Sequence, residues 1–69
     1  MGISLGGETK FRDLEPGLFV RIEKGGAVSA RVFTKLKVAL YNNAINQLGE
    51  RLRIRNDEKV RKVFVTLSS

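Results

Sequence analysis

Apolar and polar side chains alternate along two stretches in the first half of the chain, a pattern typical of half-buried β-strands. In residues 18–23 the inward positions are Leu18, Val20 and Ile22, and the outward ones Phe19, Arg21 and Glu23. After Gly25 and Gly26 the alternation resumes, with Val28, Ala30, Val32, Thr34, Leu36 and Val38 inward and Ser29, Arg31, Phe33, Lys35 and Lys37 outward. A three-residue connection containing both glycines, one in the left-handed region, would keep the two inward sets on one face.

The middle of the chain also fits a helix. Apolar residues recur every four positions from Val32 to Leu48, Ser29 is a possible N-cap and Gly49 a possible C-terminal stop. Such a helix would span residues 30–48 and give an α+β fold. The strand-forming residues in 32–38 and the asparagines of residues 42–46 favour strands, because both are poor in helix interiors.

The last third of the chain predicts a hairpin. Leu52 and Ile54 alternate with arginines, residues 56–59 form a polar turn, and Val63 and Val65 continue the inward pattern. A four-residue loop would place these four apolar side chains on one face, so the register and the hydrophobic pattern agree. Upstream, Glu15-Pro16-Gly17 predicts a turn, with the glycine at positive φ.

Short motifs between residues 11 and 65 resemble a loose group of small all-β proteins that are common in phage and prophage genomes. The residues that carry the resemblance are Phe11, Asp13, Leu14 and Gly17, then Val32-Phe33-Thr34-Lys35, Ala44-Ile45-Asn46, Gly49-Glu50 and Val60-Arg61-Lys62-Val63. The resemblance implies a compact barrel or curved sheet in which residues 41–47 form a strand and Asn42-Asn43 a turn or bend. With the strand patterns, it predicts an all-β fold, a small SH3-like or strongly curved β-barrel of about five strands.

Length and composition add to this prediction. The glycines at 2, 6 and 7 suggest a flexible N-terminal segment at residues 1–10, followed by a single small β domain at residues 11–69. Sixty-nine residues form a small core, and without cysteine no disulfide can supplement it. We therefore expect a homo-oligomer. The longest apolar run has four residues and no secretory signal is evident, so we expect no membrane association and a cytoplasmic location.

The residue types argue against catalysis. Histidine and cysteine are absent, so the commonest general bases, nucleophiles and transition-metal ligands are missing. The carboxylates that could contribute to chemistry all lie beside turns or at strand ends: Glu15, Glu23, Glu50, Asp57 and Glu58. We therefore expect a binding protein that is not an enzyme and uses neither a cofactor nor a metal ion.

The charge balance indicates an anionic partner, because 13 Lys and Arg oppose seven Asp and Glu, for a net charge of +6. The predicted anion-binding residues stand at outward strand positions: Arg31, Phe33, Lys35, Lys37, Arg51, Arg53, Arg55 and Lys62. Outward side chains on a strand repeat every ~6.7 Å, so the three arginines of residues 51–55 form a row that can meet several phosphates. Phe33 and Phe64 are candidate stacking rings, whereas Tyr41 is expected in the core or an interface.

These features predict binding of nucleic acid, DNA or RNA with single strands favoured, through backbone phosphates and with little sequence specificity. One alternative is a phage accessory protein that binds a host protein or sequesters an anionic nucleotide to block a defence system. Another is a structural virion component. A third is that the cationic side chains are simply the solvent-exposed side of each strand and bind no ligand, with the phenylalanines buried in a second core or oligomer contact.

Overall fold

The alternating segments form strands, and the computed structural model describes the chain over residues 2–37 and 41–66. Within those ranges the elements are β1 (Gly2–Lys10), a 3₁₀ turn (Phe11–Asp13), β2 (Gly17–Arg21), β3 (Phe33–Lys35), β4 (Ala44–Ile45), β5 (Arg51–Leu52) and β6 (Lys59–Thr66). All described strand pairs are antiparallel and belong to one open sheet with the order β1-β6-β2-β3-β4-β5. The all-β prediction is confirmed, with six strands instead of about five, and the described part of residues 30–48 contains no helix.

The sheet curls around one aromatic-rich core. The buried cluster consists of Phe11, Leu14, Phe19, Ala44, Ile54 and Val60, with Phe33 and Leu52 packed against it. Phe19 lies at its centre, edge-on to Phe11 at 5.3 Å and stacked on Phe33 at 5.6 Å between ring centroids. Ala44 of β4 and Val60 of β6 share this cluster although two strands separate them in the sheet. The sheet must therefore bend, as in a small barrel.

The prediction for residues 18–38 was right about alternation but wrong about which face is the core. Phe19 pairs with Phe33, and both rings point to the core face, whereas Leu18 and Thr34 pair on the outer face. The aromatic rings decide the direction because they bury more apolar area than the aliphatic side chains. Phe33 and Lys35 therefore point toward the core, not outward. Val20 is also buried, although it lies on the outer face.

The turn between β2 and the following segment has the predicted form. Ile22 pairs with Val28, and the Glu23 amide donates to the Ala27 carbonyl, which leaves residues 24–26 as a three-residue connection. Gly25 and Gly26 have φ values of +91° and +89°. Gly17, after the predicted Pro16 turn, also has a positive φ, of +143°. Glycine is favoured at these positions because other residues rarely adopt such angles.

The long strand expected after this turn is interrupted. Between the Ile22–Val28 bridge and the Phe19–Phe33 pair, residues 20 and 21 of β2 face residues 29–32 of the other segment. Two extra residues therefore bulge out of the ladder, and β3 begins only at Phe33. The part of the predicted strand at residues 38–40 lies outside the described residues.

The predicted C-terminal hairpin is wrong in its pairing. β5 pairs with β4, while β6 pairs with β1 on one side and β2 on the other. Residues 56–57 do form a turn, but the backbone beside it bonds to the 3₁₀ turn, with Phe11 N–H donating to the Glu58 carbonyl and Arg12 N–H to the Asn56 carbonyl. The inward positions of Leu52 and Ile54 are confirmed, whereas Val63 is buried on the outer face and Val65 is exposed.

The N-terminal segment, predicted to be flexible, forms β1 and occupies the edge of β6. Its ladder runs from Gly2 opposite Thr66 to Lys10 opposite Lys59, with a shift between Leu5 and Glu8. A Cβ at Gly6, within this bulge, would lie 3.2 Å from the Phe64 ring, so the glycine allows the close approach. Arg61 Nε donates to the Gly6 carbonyl at 2.6 Å and satisfies a group that the bulge leaves outside the ladder.

Candidate nucleic-acid interface

The structure divides the eight predicted anion-binding residues among different environments. Lys35 points inward, Lys62 lies beside an acidic residue, Arg31 and Phe33 line a cavity, and Lys37 is exposed after β3. Only the arginines at residues 51, 53 and 55 retain the predicted arrangement, with all three exposed and alternating with inward Leu52 and Ile54. Of the predicted outward positions, these three arginines therefore form the remaining candidate surface.

Lys35 has a structural environment. Its Nζ donates to the Phe11 carbonyl at 2.7 Å and to the Leu14 carbonyl at 2.5 Å, and it lies 4.5 Å from the centre of the Phe11 ring. The Phe11 carbonyl also accepts from the Leu14 backbone amide at 3.1 Å, so Lys35 adds a second donor there and supplies one to the Leu14 carbonyl. Burial lowers the pKa of Lys35, and the charge of Asp13 opposes that shift. The ammonium group is thus committed to the backbone.

Lys62 and Phe64 form a second local group on β6. The Lys62 ammonium lies 5.4 Å from the Phe64 ring centre and 3.5 Å from a carboxylate oxygen of Glu15. Phe64 is partly exposed, which decides between the stacking and buried alternatives left open for this residue. The neighbouring Glu15 partly neutralises Lys62, which makes this pair a weaker anion site than an unpaired cation would be.

The row of three arginines is fixed by the β4–β5 turn at one end. Asn46 Oδ1 accepts hydrogen bonds from the Leu48 and Glu50 backbone amides, both at 2.9 Å. The backbone amide of Asn46 donates to the Glu50 backbone carbonyl at 3.0 Å. Gly49 adopts a φ of +83° to close the turn. This Asx-type turn sets the register that pairs Ile45 with Arg51 and places Arg51 on the outer face.

At the other end of the row, the buried side chain of Asn43 makes the backbone hydrogen bonds that a neighbouring strand would otherwise make. Asn43 Oδ1 accepts from the Ile54 amide at 2.7 Å, and Nδ2 donates to the Ile54 carbonyl at 2.8 Å. The backbone amide of Asn43 donates to the Leu52 carbonyl at 3.1 Å. Both backbone groups of Ile54 are thereby satisfied beyond the end of β5. This fixed backbone keeps Ile54 inward and Arg53 and Arg55 outward.

Tyr41 is the functional candidate that the sequence prediction missed. Its side chain is 73% exposed, not buried in a core. The Arg53 guanidinium lies 5.4 Å from the Tyr41 ring centre, and its Nη1 donates to the Tyr41 carbonyl at 2.9 Å. A cation held against an exposed ring both orients the ring and adds charge beside it. We call Tyr41, Arg51, Arg53 and Arg55 the arginine edge, because β5 is the last strand of the sheet.

Two further features affect the charge of this edge. Asp57 approaches Arg55 at 3.4 Å, but both side chains are largely exposed, so the pair neutralises Arg55 only weakly. Arg12 is also exposed, and it lies near Arg55 because its backbone amide donates to the carbonyl of the adjacent Asn56. No sequence pattern near Arg12 indicated this proximity, since it depends on the 3₁₀ turn packing against the 56–58 segment.

Arg31 and Phe33 lie elsewhere, at a cavity of about 510 Å³ formed where residues 29–32 bulge. One wall is Arg21, whose Nε and Nη2 donate to the two oxygens of Glu58 at 2.8 and 2.9 Å. The hydrogen bond to Glu58 raises the pKa of Arg21. Phe33 is on the core face and Arg51 on the outer face, so this cavity and the arginine edge are separate surfaces.

Comparison of the chain with models of protein families, with curated proteins and with solved structures gives no match. Within residues 2–37 and 41–66, no three acidic side chains gather as they would around a metal ion. The same residues include no helix long and apolar enough to cross a membrane.

Proposed function

We propose that this protein binds single-stranded nucleic acid, DNA or RNA, along the arginine edge, without catalysis and with little sequence specificity. The observation that carries the proposal is an exposed tyrosine ring held by Arg53, with Arg51 and Arg55 exposed on either side of it in the row. Aromatic rings among outward cations are the features that unspecific single-strand binding uses.

Each part of the edge has a separate role. The guanidinium groups of Arg51 and Arg55 neutralise backbone phosphates and release their counterions, which gives affinity but little sequence information. Tyr41 stacks against a base, which requires that the base be unpaired and its face accessible. Arg53 contributes charge while it holds the ring in place. Single strands are therefore favoured over duplexes.

The net charge supports this assignment at longer range. An excess of six positive charges attracts a polyanion to the protein before any specific contact forms. In the described ranges, only Asp57 makes an ion pair with the arginine edge, while Glu15 and Glu58 pair with Lys62 and Arg21. The edge therefore keeps most of its charge available for phosphate.

The stacking role of Tyr41 is tested by substitution. Tyr41→Ala is expected to weaken binding to a labelled single strand of about 12 nucleotides by about 5- to 150-fold, because one base–aromatic contact contributes ~1–3 kcal/mol. Tyr41→Phe should retain most of the affinity, since the ring remains. Fluorescence anisotropy at low salt measures both, with DNA and RNA strands of the same sequence.

Leu48→Ala is the matched control, because Leu48 is also 73% exposed but lies in the β4–β5 turn and has no aromatic ring. Its affinity should stay close to that of the wild type. The proposal fails if no strand binds at low salt, or if Leu48→Ala weakens binding as much as Tyr41→Ala does.

A further inference from the structure

The cavity beside the β2–β3 connection has the parts of a small-ligand site. Its lining includes three cationic residues, Arg21, Lys24 and Arg31, together with Phe33. Lys24 and Arg31 are exposed, and among the ion pairs of the described residues neither has a carboxylate partner. The cavity thus combines unpaired cations with an aromatic surface.

The walls are held in place before any ligand arrives. The Ser29 hydroxyl donates to the Arg31 carbonyl at 2.9 Å and accepts from the Arg21 amide at 3.1 Å, so it ties the bulged segment to β2. Arg21 is fixed by its two bonds to Glu58. These hydrogen bonds fix the conformation of the bulge, and with it the backbone position of Arg31. Preorganisation of this kind lowers the entropic cost of binding.

Phe33 gives the cavity its preference for a ring. One side of Phe33 stacks on Phe19, with an interplanar angle of 24°, and the Arg21 guanidinium lies 5.9 Å from the Phe33 ring centre. The ring is half-buried and contributes to the cavity lining. The 5.9 Å separation is too short for a base to lie between the Phe33 ring and the guanidinium, so a planar group entering the cavity would contact both from its open side.

We propose that this cavity binds a phosphorylated nucleobase, with the base against Phe33 and Arg21 and the phosphate near Lys24 and Arg31. The volume of about 510 Å³ falls within the range typical of small-molecule sites. Glu23 also lines the cavity, so its charge offsets one of the two unpaired cations. The site therefore favours a monophosphate over more highly charged nucleotides. The phosphate belongs either to a free mononucleotide or to the 5′ end of a strand.

An NMR titration tests the occupant. AMP is expected to shift backbone amides of residues 21–33 saturably, while adenosine and inorganic phosphate, each lacking half of the ligand, should bind more weakly. A 5′-phosphorylated oligonucleotide and its 5′-hydroxyl counterpart distinguish a strand end from a free nucleotide. The site is refuted if neither AMP nor the phosphorylated strand shifts residues 21–33.

Two substitutions test the charges. Arg31→Ala should weaken AMP binding about tenfold or more, because it removes a charge-assisted contact to phosphate. Glu23→Gln should strengthen AMP binding severalfold by removing the opposing charge. Both positions are exposed, so neither variant should alter the fold, which the same NMR spectra verify.

Arg51→Ala is the matched control, since it removes one exposed arginine from the other surface. It should leave AMP binding unchanged while weakening single-strand binding. Arg31→Ala should weaken AMP binding and leave the binding of an unphosphorylated single strand unchanged. Equal loss of AMP binding in both variants would mean that only net charge matters, and would overturn the cavity site without affecting the arginine edge.

Discussion

Several polar side chains in this protein serve as partners for the backbone, and their roles depend on contacts that are distant in sequence. Lys35 bonds to carbonyls more than 20 residues away, and Asn43 bonds to Ile54 across 11 positions. An alternating pattern identifies which residues share a face, but it does not identify these partners. Lys35 was therefore assigned to the binding surface on the same basis as Arg51, and only Arg51 is exposed there.

Lys35→Met is expected to lower the free energy of unfolding by about 1–3 kcal/mol, because it takes the Lys35 donor from the Leu14 carbonyl and leaves the Phe11 carbonyl with only the Leu14 backbone amide. Urea denaturation followed by circular dichroism measures the change. Lys37→Met, two positions along the chain at an exposed residue, is the control and should change stability by less than about 0.5 kcal/mol. Equal stability of the two variants would contradict a structural role for Lys35.

At the scale of elements, local patterns predicted turns and alternation better than strand pairing. The three-residue connection with Gly25 and Gly26 and the inward positions of Leu52 and Ile54 were predicted from sequence. The pairing of β6 was not, because it depends on which strand reaches each of its edges. β1 occupies one edge despite its three glycines, which local propensity places outside strands.

The role of β1 is tested at Leu5, which is half-buried and pairs with the buried Val63. Leu5→Ala should destabilise the protein by roughly 1–3 kcal/mol, less than a fully buried leucine would, because part of the side chain remains in solvent. Ile3→Ala, on the same strand but mostly exposed, should have a much smaller effect. If Leu5→Ala leaves the urea midpoint unchanged, the N-terminal segment behaves as the flexible tail that composition suggested.

At the scale of the whole molecule, the same sheet carries two cationic surfaces, the arginine edge at β5 and the cavity beside the β2–β3 connection. The net charge of +6 predicted an anionic partner, but it did not locate the surface, because inward Lys35 and paired Arg21 contribute equally to that number. The arginine edge was found from alternation, and Tyr41 was missed because its neighbours did not reveal whether the ring is buried. The cavity depends on a bulge that no motif marked.

The most direct test of nucleic-acid binding at the arginine edge is the salt dependence of two charge-matched double variants. Arg51→Gln with Arg55→Gln removes two exposed cations from the edge, and Lys10→Gln with Lys59→Gln removes two exposed, paired lysines at the β1–β6 end. For a single strand, the plot of log K against log salt should flatten by about 1.4 in the arginine variant, because each lost phosphate contact contributes ~0.7. The lysine variant should keep the wild-type slope. Equal slopes in the two variants, or binding that does not depend on salt, would contradict the proposed interface.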